Sequence, residues 1–176
     1  SASGGVAGAR SASGGVTVHV VEIDPTVARA AAVAHDVPLL PTGAYDARRT
    51  GNVASARAGP RIAVTLADAA EHLARAVSDS LQCVLLDAYD GRGRVPSHLQ
   101  AAPFVHALGA AVAPGGCVIA NLWNGTVEAR QAADEFEALL RRDGGLGQTY
   151  ALRVVGHEKN RILLAFRPAR PAGAEL

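Results

Sequence analysis

Methionine is absent from all 176 residues, and aromatic residues make up only 4% of the chain. With one Trp, three Tyr and three Phe, any core must be built from Ala, Val and Leu. A chain without methionine, even at position 1, reads as a processed or trimmed product, so a targeting segment ahead of Ser1 stays open. Cysteine is scarce as well. Cys83 and Cys117 both lie in strand-like apolar runs, which suits two buried thiols in a reducing compartment, the cytoplasm or an organelle matrix, better than a disulfide. The two Cys and six His show no metal-ligand spacing, which excludes a zinc reading and leaves the metal expectation at none. No apolar run approaches the roughly 20 residues that span a bilayer. The net charge of +1, with dispersed arginines, gives no electrostatic case for nucleic acid or an anionic membrane.

What is present is ordinary globular composition, 49% hydrophobic and 19% charged, at a length that suits one domain with a real core. Ser-Ala-Ser-Gly-Gly-Val occurs at 1–6 and again at 11–16. Residues 1–15 therefore read as a low-complexity leader or a degenerate glycine loop, 16–168 as the folded domain and 169–176 as a flexible tail. Within the domain, strands are expected at 16–23, 61–66, 82–87 and 117–121, and helices at 26–35, 69–77, 97–112 and 127–142. A Pro/Gly/Ala/Arg-rich insertion spans 37–60, Ala113-Pro114-Gly115-Gly116 reads as a turn, and 150–155 with 161–166 reads as a closing hairpin. Strands that alternate with helices imply an α/β, Rossmann-like, mostly parallel sheet, here with a C-terminal antiparallel hairpin.

Three strands end in acid. Val18-His19-Val20-Val21-Glu22-Ile23-Asp24-Pro25 runs from a buried strand straight into a helix. Leu66-Ala67-Asp68-Ala69 and Leu85-Leu86-Asp87-Ala88-Tyr89-Asp90 follow. Carboxylates at the carboxyl ends of successive strands face the crevice where open α/β sheets bind ligands, and a strand-tip carboxylate can accept both ribose hydroxyls of a nucleoside. Each also has a plainer use: Glu22 can cap its own turn, Asp68 can cap the next helix, and Asp87 with Asp90 can be a solvated loop pair.

These stretches, with Val95-Pro96-Ser97-His98-Leu99 and Pro114-Gly115-Gly116-Cys117-Val118-Ile119-Ala120-Asn121, resemble the spermidine synthase-like branch of the class I S-adenosylmethionine-dependent methyltransferase superfamily over roughly residues 16–166. The resemblance implies S-adenosylmethionine, or its decarboxylated form, as cofactor. It implies Glu22 on the ribose, Asp68 and Ala69 at the adenine, and Asp87 beside the cofactor. Asp87 and Asp90 match the Asp-x-x-Asp pair that binds and deprotonates an amine in aminopropyltransferases, so they are the candidate catalytic residues. The continuation Gly91-Arg92-Gly93-Arg94 is closer to the methyltransferase-like members and argues against a polycationic acceptor. Asn121 is placed on the acceptor side of the crevice. Trp123 and His98 read as packing residues, and His157 with Glu158 as a surface turn.

The pattern breaks at the start. The family's glycine loop falls near Ser1-Ala2-Ser3-Gly4-Gly5, with serine at the first two expected glycines, so Gly4 and Gly5 are the candidates to approach the methionyl moiety. The central strand that precedes this loop has no counterpart in the sequence. It either lies ahead of Ser1, comes from another chain, or is gone with the site. The expected function is accordingly an S-adenosylmethionine-dependent transferase, methyltransferase-like, with a small-molecule or protein acceptor and by analogy a homo-oligomer. The alternatives are a catalytically degenerate scaffold subunit of a larger assembly, a polyamine aminopropyltransferase, and a polyamine-binding sensor.

Overall fold

The computed structural model describes residues 5–10, 16–40, 61–91 and 94–171. Gly4, most of the 37–60 insertion and the end of the tail lie outside these residues. The elements in chain order are β1 (Gly5–Arg10), β2 (Val16–Glu22), α1 (Pro25–Ala34), β3 (Leu39–Leu40), β4 (Arg61–Leu66), α2 (Ala69–Ala74) and β5 (Leu81–Leu86). After them come a 3-10 turn (Ser97–Gln100), α3 (Ala102–Ala111), β6 (Val112–Trp123), α4 (Val127–Arg142), β7 (Gln148–Arg153) and β8 (Asn160–Phe166).

All eight strands join one sheet in the order β3-β4-β2-β1-β5-β6-β8-β7. β2 through β7 run one way, while β1 and β8 run the other. The α/β, mostly parallel architecture with a closing hairpin is as read from the sequence. The centre is not. The expected gap between β2 and β5 is filled by the chain's own Gly5–Arg10, inside the stretch read as a leader, and this strand is antiparallel to both neighbours. Ladder groups of β2 and β5 facing a gap would be buried without partners, and a six-residue segment that pairs with both removes that cost.

Local boundaries follow from single residues. Asp24 caps α1 by accepting the N–H groups of Thr26 and Val27 at 2.7 and 3.3 Å, with Pro25 in the first turn. The helix expected over 97–112 is split into the 3-10 turn and α3. Pro103 has no N–H to bond back into the preceding turn, and its ring excludes the carbonyl four residues earlier. The turn expected at 113–116 is instead part of β6, but the register with β5 shifts between Leu81 and Cys83, and Gly115 takes φ +80° at that irregularity.

The core lies on one face of the sheet, where α2, α3 and α4 cover β5, β6 and β8. Leu108, Val105, Val118, Phe136, Leu140, Leu146 and Leu163 have no solvent exposure there. Cys83 and Cys117 are free and stand side by side in the β5–β6 register. Burial first, then the hydrogen bond to Cys117, raises the Cys83 thiol to about 11, as for an inert thiol. Among the described residues no helix is long and apolar enough to cross a membrane, and no group of three or more His, Cys, Asp or Glu could hold a metal ion.

Candidate functional site

Because β2, β4 and β5 point the same way, their carboxyl ends share one edge, with Glu22 closing β2 and Asp68 and Asp87 just past β4 and β5. β1 enters from this edge, since Gly5 pairs with Val21 and Val6 with Leu85. Gly5 thus lies between the tips that carry Glu22 and Asp87, as the start of a strand and not in a glycine loop.

Glu22 is only 4% exposed. Its Oε1 accepts the N–H of Asp24 at 2.8 Å, so the turn-capping use is realised. Asp68 is the N-cap of α2, with Oδ1 accepting the N–H groups of Ala70 and Glu71 at 2.8 and 3.2 Å, and Ala69 is the first residue of that helix. Its other oxygen, Oδ2, lies 2.9 Å from His98 Nε2. His98 was read as a packing residue; its ring instead ties the 3-10 turn to the tip of β4. Burial alone would raise the Asp68 carboxyl, but the Glu71 N–H, His98 and the Ala70 N–H outweigh it and hold the group below its ordinary value.

Asp87 belongs to a polar chain that crosses three strands. Asn160 at the start of β8 donates its Nδ2–H to Asn121 Oδ1 at 2.9 Å, and Asn121 donates its own Nδ2–H to Asp87 Oδ1 at 3.0 Å. The Asn121 amide is therefore oriented from behind, with its donor end turned to the carboxylate. Tyr89 donates its O–H to the Asn121 carbonyl at 2.7 Å. Burial, and next the charge of Asp87, pushes the Tyr89 phenol up to about 12. Asn160 and Tyr89 were not among the sequence candidates. The Asp-x-x-Asp spacing contained Tyr89, but only the β6–β8 register, which pairs Asn121 with Ile162 and Trp123 with Asn160, shows that Asn160 can reach Asn121. Replacing Asn160 with Leu is expected to cost about 1–2 kcal/mol, since Asn121 loses a partly buried partner. Urea unfolding measures this, and an unchanged midpoint would mean that water replaces the amide.

Asp90 stands apart from this chain, with Oδ1 accepting the Arg94 N–H at 2.9 Å and Oδ2 facing Arg94 Nε at 4.0 Å. Trp123 packs against Gly125, where an added Cβ would stand 2.3 Å from the indole, and carries Lys159 Nζ 6.0 Å above the ring. His157 and Glu158 are exposed in the β7–β8 connection, as expected.

Acidic strand tips along one edge of a mostly parallel sheet, closed by an antiparallel hairpin, define a class I methyltransferase-type fold. Solved structures agree. The chain is similar to a spermidine synthase in complex with the transition-state analogue AdoDATO (TM-score 0.58, 14% identity, 88% of this chain and 47% of that one). It is similar to a probable spermidine synthase from Corynebacterium glutamicum (TM-score 0.54, 19% identity, 85% and 55%). It is also similar to a SAM-dependent methyltransferase from Methanosarcina mazei (TM-score 0.52, 8% identity, 88% and 83%). The chain thus spans about half the length of the spermidine synthases it matches. No family model and no curated protein sequence matches it.

Proposed function

We propose that this chain is the cofactor-binding part of an S-adenosylmethionine-dependent transferase, methyltransferase-like in its acceptor preference. The observation that carries this reading is the row of carboxylates Glu22, Asp68 and Asp87 at strand tips along one edge of a methyltransferase-type fold. The donor set suits the nucleoside half of the cofactor: two ionisable acceptors, one nearly buried, face hydroxyls and an amino group that can only donate or share protons. It suits the methionyl half less well, because Gly5 is held in a ladder. When bound, the cofactor supplies a carbon made electrophilic by its sulfonium. The rest falls to the chain: Glu22 and Asp68 accept from the nucleoside, Asp87 holds negative charge beside the reacting centre, and Asn121 keeps that carboxylate in place.

Calorimetry with S-adenosylmethionine, and with its decarboxylated form, tests this. Micromolar binding is expected, weakened about a hundredfold by Glu22→Ala through loss of charge-assisted hydrogen bonds. No binding at millimolar cofactor by the folded protein would leave the scaffold reading in its place. One observation favours that second reading: Tyr150, Leu152 and Val155 of the closing hairpin are 47%, 47% and 95% exposed, a patch suited to a homo-oligomer or larger assembly.

A further inference from the structure

Past the tips of β5 and β6, on the Asp90 side of Asp87, lies a cavity of about 710 Å3, within the range of small-molecule sites. Its wall is built from Leu122 and Trp123 at the end of β6 and from Ala129, Ala132 and Ala133 of α4. These three sit at i, i+3 and i+4 spacing, which sets their methyls on one helix face. Leucines there would fill the space; alanines leave it open.

Three polar side chains of the lining, Asp90, Gln100 and Thr126, are already held by the protein's own backbone. Asp90 accepts the Arg94 N–H and faces the Arg94 guanidinium. Gln100 donates to the Val95 carbonyl at 2.8 Å, and Thr126 Oγ1 accepts the Ala129 N–H at 3.1 Å as the cap of α4. Glu128 is solvent-exposed on the first turn of α4. What the cavity offers an occupant is therefore mostly apolar wall, with two carboxylates at its margin, Asp90 facing Arg94 and Glu128 in solvent.

We infer that this cavity is the acceptor subsite of the transferase proposed above, and that it takes an uncharged, ring-bearing molecule and not a polyamine. The inference rests on that proposal for the word acceptor, but the selectivity follows from the lining alone. A polyamine laid along this wall would leave ammonium groups desolvated against alanine and leucine, while Asp90 has Arg94 beside it and Glu128 stands in solvent. A ring gains from the same walls.

Trp123 is the chain's only tryptophan and lines the cavity, so its emission reports occupancy directly. The probes are phenol and benzyl alcohol as uncharged rings, benzoate as an anion, and putrescine as a dication. Saturable shifts are expected with phenol and benzyl alcohol, and none with putrescine or benzoate. Ala132→Leu should weaken the benzyl alcohol response about tenfold, with circular dichroism and calorimetric S-adenosylmethionine binding unchanged. A putrescine shift at lower concentration than benzyl alcohol overturns the inference. So does the absence of any ring response from a protein that binds the cofactor, which would leave the transferase proposal standing. A ring response without cofactor binding overturns the transferase proposal and the acceptor role with it.

Discussion

Replacing Gly109 with alanine is expected to destabilise the protein by about 2 kcal/mol or more, against the sign that helix propensity alone would give. Gly109 is buried within α3, a helix interior where alanine is favoured over glycine by about 1 kcal/mol. Here the helix meets the end of α4 backbone to backbone. A Cβ built on Gly109 would stand 1.9 Å from the Gly144 carbonyl oxygen and 2.9 Å from its Cα. Neither atom is free to yield, because the turn at Gly144 is held by bonds from the Asp143 and Gly144 N–H groups to the Leu139 carbonyl and from Leu146 N–H to Leu140. Gly145 continues that turn at φ +63°, as helix C-termini commonly end. Relief requires α3 and α4 to separate by about an ångström, and the side chains between them, Val105, Leu108, Leu140 and Leu146, are fully buried, so close packing is lost at once. Urea unfolding of the variant decides the matter: a rise in midpoint would show that propensity outweighs the clash and that the helices are free to move.

How far the fold could be read from the sequence depended on what each segment's signal consisted of. The strand at Arg61–Leu66 and the helix at Val127–Arg142 are found at the residues expected. The first is a β-branched and apolar run between turns. The second has Thr126 as a cap at one end and Asp143-Gly144-Gly145 at the other. β1 carried no such signal. Gly-Val-Ala-Gly-Ala-Arg has low strand propensity and repeats the composition of a linker, and it is a strand because β2 and β5 offer it two ladders. Tertiary demand of that kind is invisible to local pattern.

The site shows the same division. Glu22, Asp68, Asp87 and Asp90 could be named because acid at a strand tip is visible in a linear sequence. His98 and Asn160 could not, because each reaches its partner across elements distant in sequence: His98 to Asp68, 30 residues away, and Asn160 to Asn121, 39 residues away. Their roles depend on register and loop path. The same holds for Asp90, whose pairing with Arg94 became visible only once the loop was folded, and which then spoke against the polyamine reading its spacing had suggested.

Lowering the pH from 6.5 to about 4 is expected to remove about 3 kcal/mol of stability through His19 alone. His19 sits on β2 with 4% exposure. Burial, and next the neighbouring His72 of α2, lowers its folded value from 6.5 to about 4. Burial, and next the charge of Arg75, lowers His72 as well. In the unfolded chain both imidazoles take up protons near 6.5, while in the folded protein His19 stays neutral down to about 4. Between those values the unfolded state binds more protons, so stability falls with falling pH at up to about 1.4 kcal/mol per unit through His19, and His72 adds a slope of the same sign. Above 6.5 the contribution is complete, and below 4 His19 adds no further slope. Asp68, whose folded value is held below 3.8, loses its contribution only under acid beyond this window, so the two effects separate on the pH axis. Urea unfolding at pH 7.5, 6 and 5 on the wild type and on His19→Leu makes the comparison. The wild-type midpoint should drop across the series, and the variant should keep only the shallower slope that His72 supplies. Equal slopes in the two proteins would show that a protonated His19 is accommodated in the fold and would sink the linkage. A positive charge taken up at this position would also appear three residues from Glu22 on the same strand, the segment that carries the proposed ribose contact. Cofactor affinity measured over the same pH series therefore reports whether protonation in the middle of β2 is felt at its Glu22 tip.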